Sequence, residues 1–182
     1  MRKTFIRFFT IADYEEEETW LRQQHSAGWK IVKMTPPCFY VFESCEPQDV
    51  IYRLDFKNSE QTEEYMQMLR DFGWEYFENC LGWLYFRKSA KDAASQEDGE
   101  LFSDNLSRVE LISLVARKRL LPLCILFCCC LLPNMANVFG LADLGIFAAA
   151  IRILFITLFI IYVFLIVYCS VKLKRMKKKY GN

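Results

Sequence analysis

The side chains able to do chemistry in this chain are few, and their spacing does not favour it. There is one histidine, His25. It adjoins Ser26, and the acidic residue considered as its partner, Asp71, lies far along the chain with no G-x-S-x-G turn or comparable frame to join them. Cys38 and Cys45 are seven residues apart with no second pair, so the ligands for a zinc site are lacking. Cys124, Cys128, Cys129 and Cys130 fall in one apolar stretch and Cys169 in another, where small thiols pack between helices rather than bridge a secreted scaffold. The glycines are scattered, without a phosphate loop or a dinucleotide fingerprint. The run Glu15–Glu18 opens a helical segment and complements its macrodipole. No catalytic residue, metal or cofactor is therefore expected. What remains is a pair of arginines, Arg7 and Arg53, placed at matching points of two similar segments. Their chemistry is binding.

Those arginines belong to an internal duplication. Phe5-Ile-Arg-Phe-Phe matches Ile51-Tyr-Arg-Leu-Asp, Ala27-Gly-Trp-Lys matches Phe72-Gly-Trp-Glu, and Phe39-Tyr-Val-Phe-Glu matches Trp83-Leu-Tyr-Phe-Arg. Each copy opens with a β-rich run and continues into a polar segment with helix-start signals, Asp13 with Glu16 and Asn58 with Gln61. Tyr65, Met68, Leu69 and Phe72 recur at helical spacing. Gly28 and Gly73 stand where a left-handed C-cap releases the chain into an aromatic strand. The spacing predicts β-α-β-β twice. Two copies can form an α+β domain, one antiparallel sheet with both helices on a single face, similar in topology to ligand-binding modules of the GyrI-like kind. A ferredoxin-like β-α-β pair is the alternative, with one strand fewer per copy.

Such a sheet leaves a second face. Alternation puts Phe5, Arg7 and Phe9 with Ile51, Arg53 and Asp55 on one side, and Ile6 and Phe8 with Tyr52 and Leu54 on the other. The side carrying the arginines is expected to be away from the helices. Glu43 and Arg87 add charge to it, and Trp83 and Tyr85 add aromatic area. This half-aromatic, half-charged face suits a small amphipathic ligand or a protein partner. The simpler reading is a solvated antiparallel face with cross-strand Arg–Glu and Arg–Asp pairs.

The formal charge of +1 over 182 residues conceals a split. Residues 1–105 hold 12 Lys/Arg and 20 Asp/Glu, a net of −8, whereas residues 106–182 hold 11 and 2, a net of +9. An acidic head excludes nucleic acid, which needs a basic surface. Ile153 to Val171 runs nineteen residues without a charge, close to the length that spans a bilayer core. Leu120 to Leu141 is a second apolar stretch, interrupted by Pro133, Asn134 and Asn137, with a kink or early exit expected near Pro133. Arg152 lies where it can snorkel toward a headgroup. Arg117, Lys118 and Arg119 precede the first span. Lys172, Lys174, Arg175, Lys177, Lys178 and Lys179 follow the second, so both termini are expected in the cytoplasm, with the basic residues against anionic lipid. The opening Met1-Arg-Lys does not begin a signal peptide, because the apolar run after it is short and contains Arg7. The expected boundaries are a head at 1–88 (repeats about 3–45 and 49–88), a polar linker at 89–102, and an amphipathic juxtamembrane helix at 103–119 capped by Ser103 or Asp104. Spans follow at 120–141 and 146–171, joined by a turn around Ala142 to Gly145, and then a basic tail at 172–182.

The doubled head, the AGWK and FGWE turns, the YRLDF strand and the FSDNLSRVE…RKRLLPL approach to the first span together resemble the bacterial membrane-protein family called domain of unknown function 2812. The resemblance covers the head throughout and extends into the membrane hairpin. It implies a plasma-membrane protein of the kind typical of Gram-positive Firmicutes, whose members resemble companions of PadR-type regulators, and it implies no catalytic residues. The expected function is a membrane-anchored sensor or regulatory protein, not an enzyme, with membrane lipids and a protein partner or small amphipathic ligand as its contacts. The alternative is a structural or accessory subunit of a membrane transport or stress-response complex, in which the spans do the recognising.

Overall fold

The computed structural model describes residues 1–56, 63–93, 99–101, 105–139 and 145–181. The chain divides into two compact units, Met1–Leu111 and Ile112–Asn182.

In the first unit, strand β1 (Arg2–Ile6) leads to helix α1 (Tyr14–Ser26) and the hairpin of β2 (Trp29–Thr35) and β3 (Phe39–Ser44). The order then repeats as β4 (Val50–Phe56), α2 (Glu63–Asp71), β5 (Glu75–Cys80) and β6 (Trp83–Ser89). Gly28 and Gly73 take φ of +83° and +82° at the ends of the two helices, and their amides donate to the carbonyls of His25 and Arg70. These are the left-handed caps expected of them. Asp13 precedes α1, but its carboxylate turns back to accept from the Thr10 amide (2.8 Å) and hydroxyl (2.6 Å) instead of closing a box with the helix. The Asn58–Gln61 box lies outside the described residues, as do Ser103, Asp104 and all of the interhelical turn except Gly145.

The α+β class and the β-α-β-β duplication are both present. The strands, however, form two three-stranded antiparallel sheets, ordered β1-β3-β2 and β4-β6-β5, in place of one continuous sheet. Each copy also carries a bulge at the same point, between Ile31 and Lys33 and between Tyr76 and Glu78. The bulges lie on β2 and β5, the two edge strands that approach each other. A bulge breaks the spacing of amides and carbonyls along an edge, which accounts for the missing ladder between them.

Nor do the helices share one face. Trp20 of α1 packs edge-on against Tyr40 and Phe42 of the first sheet, while Tyr14 of the same helix meets Trp83 of the second. Helix α1 is thus held between the sheets. Helix α2 covers the other side of the second sheet, where Leu69 joins Ile51, Trp74, Leu84 and Phe86 in a buried cluster. Ala90, Ala93 and Leu101 pack on that cluster too, so the described ends of the segment read as a linker are folded onto the head.

Helix α3 (Asn105–Val115) begins in the first unit and ends in the second, and α3, α4 (Leu121–Leu126) and α5 (Leu132–Phe139) are joined end to end by π-helical turns at Ala116–Leu120 and Phe127–Leu131. The helix runs on through Arg117–Arg119 and past Pro133, without the early exit expected there. Each π turn lies just ahead of a proline, Pro122 or Pro133. Widening the preceding turn accommodates the ring and the missing amide without ending the helix. Helix α6 (Gly145–Tyr180) runs 36 residues without interruption. Ser107–Phe139 and Ile146–Tyr180 are both long and apolar enough to cross a membrane. Phe127 stacks on Tyr162 and meets Phe159, pairing the two helices as a hairpin.

Candidate functional site

The sequence assembled seven side chains into one face; the structure distributes them over several places. Arg7 lies over the rings of Phe9 and Trp20, at 5.0 and 5.1 Å, so its side of β1 faces helix α1 and not away from it. Asp55 is buried on the α2 side of the second sheet and accepts from the Tyr65 hydroxyl at 2.9 Å. Glu43, on β3, pairs in register with Arg2 and Lys30 of the first sheet. Trp83, Tyr85 and Arg87 project to the opposite side of the second sheet from Arg53 and Asp55. There Arg87 is held in a two-pronged ion pair by Glu75 and lies over Phe77 at 5.1 Å. Alternation along each strand was read correctly; what it does not supply is which side the helices cover. With α1 between the sheets and α2 outside, β4 and β6 of the second sheet are mostly buried, whereas much of β5 is exposed.

The polar centre of the head is built on α1. Tyr14, Glu17, Glu18, Leu21 and His25 are all buried along this helix. Glu17 and Glu18, 6% and 9% exposed, are therefore interior residues, and the macrodipole reading of the run holds only for its outer members. Their spacing from Tyr14, Leu21 and His25 is helical and was the available signal. Glu17 Oε1 accepts from the hydroxyls of Tyr40 (2.9 Å) and Tyr85 (2.8 Å), one from each sheet, and so bolts the two repeats together. Burial raises its pKa against the lowering effect of both hydroxyls. The two phenols are pushed up in turn, first by burial and then by the carboxylate they face. His25 Nδ1 and the Tyr52 hydroxyl are 2.7 Å apart, while Asp71 accepts from Gln67. The structure thus does not bring His25, Ser26 and Asp71 together as a triad. Burial, with Arg87 and Lys30 nearby, keeps the imidazole pKa below its ordinary value.

Glu18 reaches the edge of the second sheet. Its Oε1 accepts from the Leu54 amide at 2.8 Å, which covers a position that an adjoining strand would otherwise occupy. Its Oε2 is 3.5 Å from Arg53 Nη1. Arg53 makes its closer pairing with Glu100, donating from Nε (3.0 Å) and Nη2 (2.9 Å), and Arg108 of α3 donates to the same carboxylate at 2.7 Å. These four charged groups line a cleft with Tyr14 and Leu101. Burial dominates at Glu18 and raises its pKa to about 8 despite Arg53 and the Leu54 amide, with Glu100 and Glu15 adding to the rise. The sequence singled out Arg53 but neither Glu100 nor Arg108. Nothing in the local pattern ties residues forty-seven and fifty-five positions away to a strand arginine.

Of the basic residues, Arg117, Lys118 and Arg119 lie in the first π turn, inside the first long helix, and Lys172 through Lys179 lie in the last turns of α6. Arg152 lies near the start of α6, with Nε 3.4 Å from the Val138 carbonyl of α5. Among the described residues, no three His, Cys, Asp or Glu side chains converge as a metal site.

A duplicated α+β head followed by two apolar helices of membrane-spanning length defines the class of protein. The family described as "Protein of unknown function (DUF2812)" matches residues 13–125, more than half of the chain, and the chain belongs to that family. The match begins at α1 and continues through α3 into α4, so it spans the residues of the polar centre and the cleft and the first part of the first apolar helix. No curated protein and no solved structure matches the chain.

Proposed function

We propose that this is a plasma-membrane protein with a cytoplasmic regulatory head that binds a small amphipathic ligand or a protein partner and carries out no catalysis. The observation behind this reading is the cleft at which Glu18, Arg53, Glu100 and Arg108 meet. It joins strand β4 and helix α1 to the first turns of α3, and α3 continues as unbroken helix to Phe139. An anionic group that competes with Glu100 for either guanidinium alters the attachment of that helix, which is how occupancy of the head reaches the apolar segment. The basic residues beside both apolar stretches support placing head and tail in the cytoplasm.

The test is crosslinking capture by the full-length protein in its native membrane, comparing the wild type with Arg53→Ala and Glu100→Gln. A protein or ligand captured by the wild type and lost from both variants, each still folded by thermal melting, supports the reading. Equal capture by all three overturns it.

The second reading, an accessory subunit recognised through its spans, draws on Asn134, Asn137 and Arg152, polar groups on helices otherwise apolar. Exchanging residues 112–182 for an unrelated two-span hairpin separates the two: capture that survives the exchange favours the head, and capture that disappears favours the spans.

A further inference from the structure

Among the described residues, the first sheet differs from the second in carrying no helix on one of its sides. Strand register puts Arg2, Thr4 and Ile6 of β1 beside Glu43, Val41 and Phe39 of β3, with Lys33 and Thr35 of β2 beyond them. All of these lie opposite Tyr40 and Phe42, whose side is taken by Trp20. Ile6 is 73% exposed, Phe8 just beyond the strand 63%, and Phe39 41%. Three large apolar side chains are thus gathered at one end of a sheet, apart from Met68, Phe72, Tyr76 and Leu81, which are exposed on the second repeat.

Charge distinguishes the same region. Met1–Ala12 holds three basic residues (Arg2, Lys3 and Arg7) and no acidic one, whereas Asp13–Asn105 holds 9 basic and 20 acidic. All three cations are exposed, and Lys33 adds a fourth on the open side. Lys3 lies over Phe5 and Trp29, and Arg7 over Phe9 and Trp20, so both side chains spread along aromatic surface with their charges outward. Strand β1 is also an edge, pairing only with β3.

We infer that this edge and open side of the first sheet dock on the surface of an anionic phospholipid bilayer. The inference uses the membrane anchorage proposed above but not the cleft or its ligand. Exposed Phe and Ile enter the boundary between headgroups and acyl chains, and the surrounding Arg and Lys meet the lipid phosphates. The net negative charge on the rest of the head is repelled by the same surface, which selects the basic edge as the part that approaches. A second copy of the acidic head offers the same sign of charge, but it offers no acyl boundary for the exposed Ile6, Phe8 and Phe39, which a bilayer does. The two long apolar helices on the same chain supply a nearby bilayer.

The experiment is hydrogen–deuterium exchange on the full-length protein in nanodiscs of phosphatidylcholine alone and of phosphatidylcholine with phosphatidylglycerol. Amides of Met1–Phe9 and Phe39–Val41 are expected to exchange more slowly in the anionic discs, with those of β6 unchanged as the control for folding. High salt reverses the slowing. Changing Arg2, Lys3 and Arg7 together to Gln abolishes most of it, since each cation near the surface is worth about fivefold in binding. Ile6→Ser with Phe8→Ser weakens the slowing in the anionic discs. Equal exchange in the two compositions overturns the inference. So does slowing that follows protein concentration in either composition, which marks a second copy. Partner capture through the Arg53 cleft is read separately, so the failure of one proposal is visible apart from the other.

Discussion

At the scale of single residues, Glu18 is the most informative group in the head. An ion pair with Arg53 would ordinarily hold a carboxyl below its usual range. Here the separation is 3.5 Å, Arg53 is engaged more closely by Glu100, and burial prevails, giving a pKa of about 8 against 4.5. The folded protein keeps a proton that the unfolded chain gives up, so this group makes stability fall as pH rises from 4.5 toward 8. The loss across that window is about 3–5 kcal/mol at most. Glu18→Gln resembles the protonated side chain and can still accept from the Leu54 amide. Thermal unfolding of the full-length protein in detergent should show the variant within about 1 kcal/mol of the wild type near pH 4.5 and increasingly more stable than it toward pH 8, because the variant lacks the slope that Glu18 imposes. A large loss at every pH would show that Glu18 works as an ionised partner of Arg53. Asp49 and Glu75 act in the opposite sense. Arg22 and Arg87 lower their pKa values, so the stability they add is present above the ordinary carboxylate range and lost as pH falls. Glu17 gives a second expectation: removing either phenol, Tyr40→Phe or Tyr85→Phe, leaves it one donor and costs about 1–2 kcal/mol, whereas the double variant costs more than the sum. Chemical denaturation of the three variants measures this.

At the scale of elements, the turn between β5 and β6 contains a conformation that its residue type disfavours. Leu81 has φ of +51° and Gly82 +82°, both positive as in a type I′ hairpin turn, and the leucine side chain is largely exposed. Leu81→Gly should therefore raise stability by about 0.5–1 kcal/mol, seen as a higher denaturation midpoint with an unchanged slope. A fall would mean that the side chain makes contacts outweighing its strained backbone. Elements of this kind were the part most legible in the sequence. Gly28 and Gly73, the alternating aromatic strands and the repeated arginines gave both copies of β-α-β-β, because caps and alternation are local. The partition into two sheets was not legible, since it depends on matching bulges, which shift a ladder without an evident residue signature, and on α1 entering between the repeats. Because α1 packs on both sheets, the arginine side of the strands faces helices, and the composite face read from alternation is spread over several environments. The long first helix eluded the reading for a related reason. Proline predicts a break only when the turn before it stays α-helical, and here Ala116–Leu120 and Phe127–Leu131 widen instead.

At the scale of the whole molecule, the split charge carries the main expectation. Arg108, the first cation of the basic half, pairs with Glu100 within the first unit. Cations flank both apolar stretches, at Arg117–Arg119 and at Lys172–Lys179. With 36 residues, α6 exceeds the roughly 20 needed to cross a bilayer core, so its basic last turns have room to stand beyond the hydrocarbon. Positive flanks set orientation through the cost of moving them across the membrane. Reporter fusions after Asn182 should therefore be active on the cytoplasmic side in the wild type. Replacing Lys172, Lys174, Arg175, Lys177, Lys178 and Lys179 with Gln while adding lysines between residues 140 and 144 removes that bias and creates the opposite one, so much of the C-terminal reporter should move outside. A C-terminal reporter already outside in the wild type would reverse the arrangement of the hairpin. If the head then remained inside, the chain would cross only once, and the anionic surface proposed for β1 would belong to a membrane held by α6 alone or by the helix that ends at Phe139. The same fusion series, with a reporter placed before Met1, distinguishes these cases. A cytoplasmic signal from both ends is the result expected of a two-span anchor whose head faces the cytoplasm, and an external signal from both ends would keep two spans but overturn that orientation.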